Sequence, residues 1–308
     1  MLFVIQLARF ITRTVLVVAL TAACLNSGMA QAQELTAHEP TAAENDSAAE
    51  ASKQAANPLA SVWLMQFQQN NSWLAMPANG GNRVQSNLQF QPLMSVKLTD
   101  DWSLVTRPVL QLFNATPSQD QAGQSNRVTG FGDTAVALAL SPGNRLVGNW
   151  LLAAGPTFIF PTATDSRIGQ DKWQVGPAAA VGYVGKNFVT YVFPQQWFSV
   201  GGDGRRTRQM SLIYAFVHAF PNGWTVGTNP NMFVDWEASS GNKVAFPVGL
   251  QVGKLRKLGL LPVKFDLQVQ YYAVHPQVYG SKWNVQLQIT PILPALIKRN
   301  QSKTGDDR

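Results

Sequence analysis

The sequence predicts an all-β fold: a transmembrane, antiparallel, up-and-down β-barrel of about 12 strands, after a cleaved signal peptide and a short periplasmic extension. Three observations predict it. Apolar and polar residues alternate strictly in several segments. Tight turns and longer loops take turns between those segments. An export signal precedes a chain with only 13% charged residues, far below the usual quarter.

The N-terminus comes first. Arg9 and Arg13 precede the apolar run Val15 to Ala23, then small residues and "GMAQAQE". This is the layout of a secretory signal peptide over 1–32, cleaved after Ala32. A lipoprotein reading through Cys24 places Thr21 where a lipobox takes Leu. A helical membrane anchor needs about 20 apolar residues, more than this run holds. Cleavage at Ala32 removes the single cysteine, which excludes thiolate metal sites and a Cys nucleophile from the mature chain.

Residues 33–57 carry five acids, one Lys and many Ala. They read as a mobile or weakly helical periplasmic extension and a candidate plug. The barrel is expected over 58–295, with a polar tail over 296–308. From Asn57 onward there are 21 basic and 12 acidic residues. No basic stripe interleaved with aromatics appears, so outer-membrane lipid and lipopolysaccharide, not nucleic acid, are the expected partners.

The strands follow from period two. In "PVKFDLQVQYYAV", Val263, Phe265, Leu267, Val269 and Tyr271 are apolar while Lys264, Asp266, Gln268 and Gln270 are polar. "WNVQLQIT" repeats the pattern, and Leu88 and Phe90 oppose Asn87, Gln89 and Gln91. Such alternation marks a strand whose two faces meet different environments. Twelve segments of this character lie near 59–69, 84–97, 102–113, 128–141, 147–160, 172–184, 187–199, 208–220, 223–235, 243–255, 262–274 and 282–293. "LTDD", "PGNR", "GKN", "PNG" and the slightly longer "RKLGL" are the short connections. Longer loops at 70–82, 114–127, 161–171, 200–207, 235–242 and 275–281 alternate with them. Closure is what lets a sheet cross lipid, because every backbone N–H and C=O must then find a partner. A soluble β-sandwich also alternates, but with shorter strands and less regular turns. Pro92, Pro108, Pro156, Pro177, Pro194, Pro230, Pro247, Pro262 and Pro291 fall in or near strands, and bulges or kinks are expected there. Trp102, Trp150, Trp173, Trp224 and Trp283 sit near strand ends, as interfacial girdles require.

Several stretches share order and spacing with a known family: "GFGDTAVALALSP", "GPTFIFPTATDSRIGQDKWQVGPAA", "QQWFSVGGD", "VDWEA", "PVGLQVGK" and "LPVKFDLQVQYYA". Together with "SKQAANPLASVWLMQFQQN" they resemble the proteobacterial outer-membrane family of phenol meta-pathway degradation, some members of which are labelled neuromedin U. The resemblance implies an outer-membrane barrel, with the outer-membrane assembly machinery and a small hydrophobic solute as partners, and uptake of hydrophobic or aromatic compounds. The polar tail "QSKTGDDR", without a terminal aromatic, departs from the usual end of such barrels.

Two residue groups follow. Alternation turns Asn87, Gln89, Gln91, Lys264, Asp266, Gln268, Gln270, Asn284, Gln286 and Gln288 toward the lumen, with Arg107, Gln111, Asn229 and Asn231 less cleanly placed. Amide linings discriminate weakly by charge. Asp133, Asp165, Asp171, Asp203 and Asp235, with Arg167, Lys172, Arg205, Arg206 and Arg208, gather at the outer mouth. There they brace turns and pair with one another, and Arg205, Arg206 and Arg208 offer contacts to lipopolysaccharide phosphates. No dense ligand spacing for a metal and no cofactor motif appear. No GxSxG elbow accompanies His218 or His275, so no enzyme is expected. A channel and a plugged structural barrel both remain open.

Overall fold

The computed structural model describes residues 42–75, 82–119, 125–277 and 279–293. The signal peptide, the start of the extension and the polar tail lie outside these residues. Helix α1 (Ala42–Ala56) precedes β1 (Trp63–Ala75), β2 (Asn82–Lys97), β3 (Trp102–Gln119), β4 (Ser125–Gly130) and β5 (Thr134–Pro142). A one-turn helix α2 (Asn144–Val147) leads into β6 (Trp150–Phe160), β7 (Trp173–Val184), β8 (Phe188–Gly201) and β9 (Arg208–Ala219). β10 (Trp224–Thr228), β11 (Asn231–Asp235), β12 (Val244–Leu258), β13 (Leu261–Val274) and β14 (Ser281–Leu293) complete the order.

Fourteen strands make twelve staves of one closed antiparallel barrel. β4 and β5 share the flank of β3, pairing with Asn114–Gln119 and Trp102–Val109 respectively. β10 and β11 share the stave between β9 and β12. The ring closes where β12 meets β13 and β1 meets β14. Two expected loops are shorter than read from sequence, because β1 runs to Ala75, β3 to Gln119 and β4 begins at Ser125. The expected tight turn at "PGNR" instead holds α2. The "PNG" turn behaves as expected: Asn222 and Gly223 both take positive φ, 62° and 82°, the backbone that joins twisted strands most tightly.

The prolines interrupt the wall. Pro156 faces Pro177 across β6 and β7. The β2–β3 ladder jumps from Phe90–Leu110 to Met94–Thr106, skipping Pro92 and Pro108. Pro230 occupies the break between β10 and β11, and Pro247 adjoins a register shift. A proline has no N–H to give its neighbour. The β2–β3 gap, the β10–β11 break and the β12–β13 shift all fall at prolines, while the β6–β7 register continues through Pro156 and Pro177.

The outer wall is apolar. Phe113, Leu140, Val192, Phe216, Leu250, Leu267 and Val269 are exposed on it. Trp102, Trp150 and Trp224 rim the short-turn end, and Trp173, Trp236 and Trp283 rim the long-loop end. Tyr183 is paired with Trp150 at one rim, and lies ten residues along β7 from Trp173 at the other. Ten residues at ~3.3 Å each, tilted ~40°, span about 25 Å of membrane normal. That equals the hydrocarbon height a barrel must match.

α1 is docked rather than free. Ala48, Ser52 and Ala55 repeat at helical spacing with Ala51 beside them, giving one small-residue stripe. Ala48, Ala51 and Ala55 pack against Leu64, Leu93, Val105, Leu255 and Ile292, the inward residues at the short-turn end. The Ser52 hydroxyl, fully buried, lies 2.8 Å from the Ala48 carbonyl and 3.4 Å from that of Gly223. Asn57 ends the helix, its side-chain oxygen accepting from the Leu59 N–H at 2.8 Å. Pro58 then directs the chain toward β1.

Candidate functional site

Above α1 the lumen holds a cavity of about 600 Å³, floored by Ala55 to Leu59. Its two halves differ. On β13, β14, β1, β2 and β3 the inward residues are mostly amides. Asn284 Nδ2 donates to Gln270 and Asn70, both at 3.3 Å. Gln91 Nε2 donates to Gln89 at 2.6 Å and Gln68 at 3.2 Å, and Asn87 Nδ2 donates to Gln111 at 3.2 Å and Asn114 at 2.5 Å. These chains pair amides with one another and give a polar wall, in which Asn87 Oδ1 and Asn114 Nδ2 are buried without a partner.

Across the lumen, β5 to β9 present a different surface. Ala137, Ala139, Ala153, Ala178, Ala180 and Phe193 form a buried cluster, with Leu59, Tyr191 and Ile213 packed against it. Small Ala side chains leave the space that the cavity occupies, and Phe193, Tyr191 and Trp197 supply aromatic faces at its edge. Below Trp197, Thr157 is wholly buried. Its Oγ1 accepts from Trp197 Nε1 at 3.1 Å and donates to Gln195 Oε1 at 3.2 Å. This fixes the indole edge.

At the long-loop end the β6–β7 loop folds back to the wall. Asp133 accepts from the Ala163 N–H at 3.1 Å and the Gln170 N–H at 2.8 Å. Gln170, Gln174 and Gln209 bond in a ring of amides beneath it. Ile168 and Gln170 thereby reach the cavity.

The family model described as "Putative MetA-pathway of phenol degradation" matches residues 66–273. The chain belongs to this family. An outer membrane channel from Pseudomonas putida F1 shares the fold, with a TM-score of 0.56, 15% identity and coverage of 75% of this chain and 94% of that one. The NanC porin aligns at a TM-score of 0.46 and 9% identity, over 73% of this chain and 98% of that chain. The Pseudomonas putida toluene transporter TodX aligns at 0.37 and 10%, over 76% and 89%. No curated protein matches the sequence. Closed barrel, apolar belt and Trp girdles together make this phenol-degradation family member an outer-membrane protein.

Most of the residues that alternation turned toward the lumen lie along the cavity wall. Asn87, Gln89, Gln91, Arg107, Gln111, Asn229, Asn231, Lys264, Asp266, Gln270, Asn284, Gln286 and Gln288 all line the cavity. Gln268 does not. It is 1% exposed, sits between its register partners Gln251 and Gln286, and neither of its amide atoms has a partner. Lys264 and Asp266 pair at 2.7 Å, with Gln251 Nε2 donating to the same carboxylate oxygen at 2.7 Å. Gln66, Gln68, Asn70 and Ser72 of β1 also line the cavity. They alternate correctly, but Gln69 and Asn71 make the other face polar too, which hid the pattern.

The mouth group divides. Asp133 belongs to the lumen rim rather than the loops. Asp165 pairs with Arg167 at 2.7 Å, and that guanidinium holds the Asp165 carboxyl down at about 2. Asp171 adopts φ 54°, and its carbonyl accepts from Gly204 at 3.1 Å. Lys172 Nζ donates to the Gly202 carbonyl. Arg205 pairs with Asp235 at 3.2 Å and Arg208 with Glu237 at 3.4 Å. Of the three guanidiniums read as contacts to lipopolysaccharide phosphates, Arg205 and Arg208 are thus held by nearby carboxylates. Asp203 and Arg206 are exposed in the β8–β9 turn. Among the described residues no cluster of three metal-ligating side chains occurs.

Proposed function

We propose that this protein is an outer-membrane channel for small aromatic or hydrophobic compounds. One observation carries the reading: a cavity of about 600 Å³ inside a closed barrel, apolar and aromatic on one side and amide-lined on the other. That volume lies within the range of small-molecule sites. A planar apolar ring can lie on the Ala and Phe193 side while a hydroxyl or carboxyl meets the amides. The family description and the fold shared with an outer membrane channel support it. Membrane lipid and lipopolysaccharide surround the barrel in this reading.

Channel rather than enzyme is the better reading of the histidines. His218 lies edge-on against Phe220 at 4.6 Å, and His275 Nδ1 is 3.0 Å from the Pro276 carbonyl. They stand at opposite ends of the barrel and neither lines the cavity. A plugged structural barrel is the second reading, favoured by the seat of α1 against the inward apolar ring.

Recordings in planar bilayers test both. Discrete openings are expected, interrupted in a concentration-dependent way by benzyl alcohol but not by xylitol, which lacks an aromatic face. Openings indifferent to benzyl alcohol would overturn the aromatic reading. Silence from verified folded barrels, with and without α1, would overturn the channel.

A further inference from the structure

Arg107 stands at the seam between the two halves of the cavity. On one side its β2 neighbour Gln91 belongs to the amide wall; on the other its β5 register partner is Ala137 of the apolar cluster. Arg107 Nη2 donates to Gln91 Oε1 at 2.5 Å. Its guanidinium carbon lies 5.9 Å from the centre of the Phe193 ring on β8, so these two side chains approach each other across the lumen.

A guanidinium carries five N–H donors, and the structure gives this one a neutral amide and an aromatic face. Among the described residues, none of the ion pairs includes Arg107. The other charges lining the cavity are Asp133, Lys264 and Asp266. Lys264 and Asp266 neutralise each other. Asp133 is committed to two loop N–H groups, and sits four residues along β5 from Ala137, roughly 13 Å away. Arg107 is thus the cavity's one cation without a carboxylate partner among the described residues. A planar carboxylate fits its fork, and an attached ring would fall against Phe193 and Tyr191, whose hydroxyl is held by Asn229 at 3.2 Å.

We propose that Arg107, with Phe193 and Tyr191, forms a binding station for monocyclic aromatic carboxylates within the lumen. The proposal rests on the channel reading, which it deepens by naming the anionic aromatic acid as a solute class. The carboxylate takes the guanidinium N–H groups that face the cavity, and the ring covers the Phe193 face.

Calorimetric titration of the detergent-solubilised protein tests it, with sodium benzoate, its neutral analogue benzyl alcohol, and sodium acetate as probes. Benzoate should bind about tenfold or more tightly than benzyl alcohol, the advantage expected of a charge-assisted hydrogen bond. Arg107→Gln should abolish that advantage and Arg107→Lys should keep part of it. Phe193→Leu should lower benzoate affinity toward that of acetate while leaving acetate unchanged, which keeps the proposal open to refutation if the Arg107 variants do not fold. Gel mobility of unheated samples reports folding. Equal benzoate binding by the folded wild-type and Arg107→Gln proteins would overturn the proposal, as would a wild-type protein that treats benzoate and benzyl alcohol alike. Benzoate binding without passage of any aromatic compound through a bilayer would overturn the channel reading while leaving this station standing.

Discussion

At the scale of single residues, buried polar contacts order parts of the barrel interior. Thr157 is the clearest: one hydroxyl serves both Trp197 and Gln195. Thr157→Val keeps the shape but leaves an indole N–H and an amide oxygen buried without partners. Stranding such groups costs about 1–3 kcal/mol, so unfolding in urea should shift by that amount with the barrel otherwise intact. An unchanged midpoint would show that Trp197 finds another acceptor. The Lys264–Asp266 pair is different in kind. Both groups are 2–3% exposed, and a pair so deeply buried recovers in attraction little more than it loses in hydration. Its effect is to remove one cation and one anion from the lumen, which leaves Arg107 as its one unpaired cation among the described residues.

At the scale of elements, α1 packs against the inward apolar ring at the short-turn end of the barrel. Its stripe of small residues lets it lie close to Leu64, Leu93, Val105, Leu255 and Ile292. Replacing Ala55, which is 7% exposed, by Glu forces a charge into that apolar ring, and burying it unpaired costs more than the contacts return. Single-channel conductance should rise in Ala55→Glu, as it should when α1 is deleted. Unchanged conductance in both would mean that α1 does not obstruct the path. The sequence reading gave this segment as a mobile or weakly helical extension and a candidate plug, because its acids and Ala did not show which face it would bury. Only the facing ring of strand ends gives the stripe a partner. The strands themselves were legible wherever lipid met amides, as in β13 and β14. They were blurred where both faces are apolar, as in "LLAAGPTFIF" and "GPAAAVGYV". Those same segments build the apolar half of the cavity, so the site's most distinctive feature was the part that periodicity could not expose. At Pro230 the expected kink takes the form of a break that splits one stave into β10 and β11.

At the scale of the whole molecule, three layers share one axis: an apolar belt between Trp girdles, a closed hydrogen-bonded wall, and a two-faced lumen. Each follows from a different solvent, namely lipid, backbone and confined solute. The belt and the wall would serve any outer-membrane barrel. The lumen is where this chain commits to a solute, and the most direct test fills its apolar half. Ala137 and Ala180 line the cavity from within the buried cluster, and replacing both by Phe removes the space for a ring while leaving the amide wall and the exterior untouched. Uptake of radiolabelled benzyl alcohol should be followed in intact cells of a porin-deficient strain carrying either version, with folded protein confirmed in the outer membrane. Faster uptake with the wild-type protein, lost with the filled variant, is the expected result. Equal uptake by cells carrying the wild-type protein, the filled variant and neither would contradict the account.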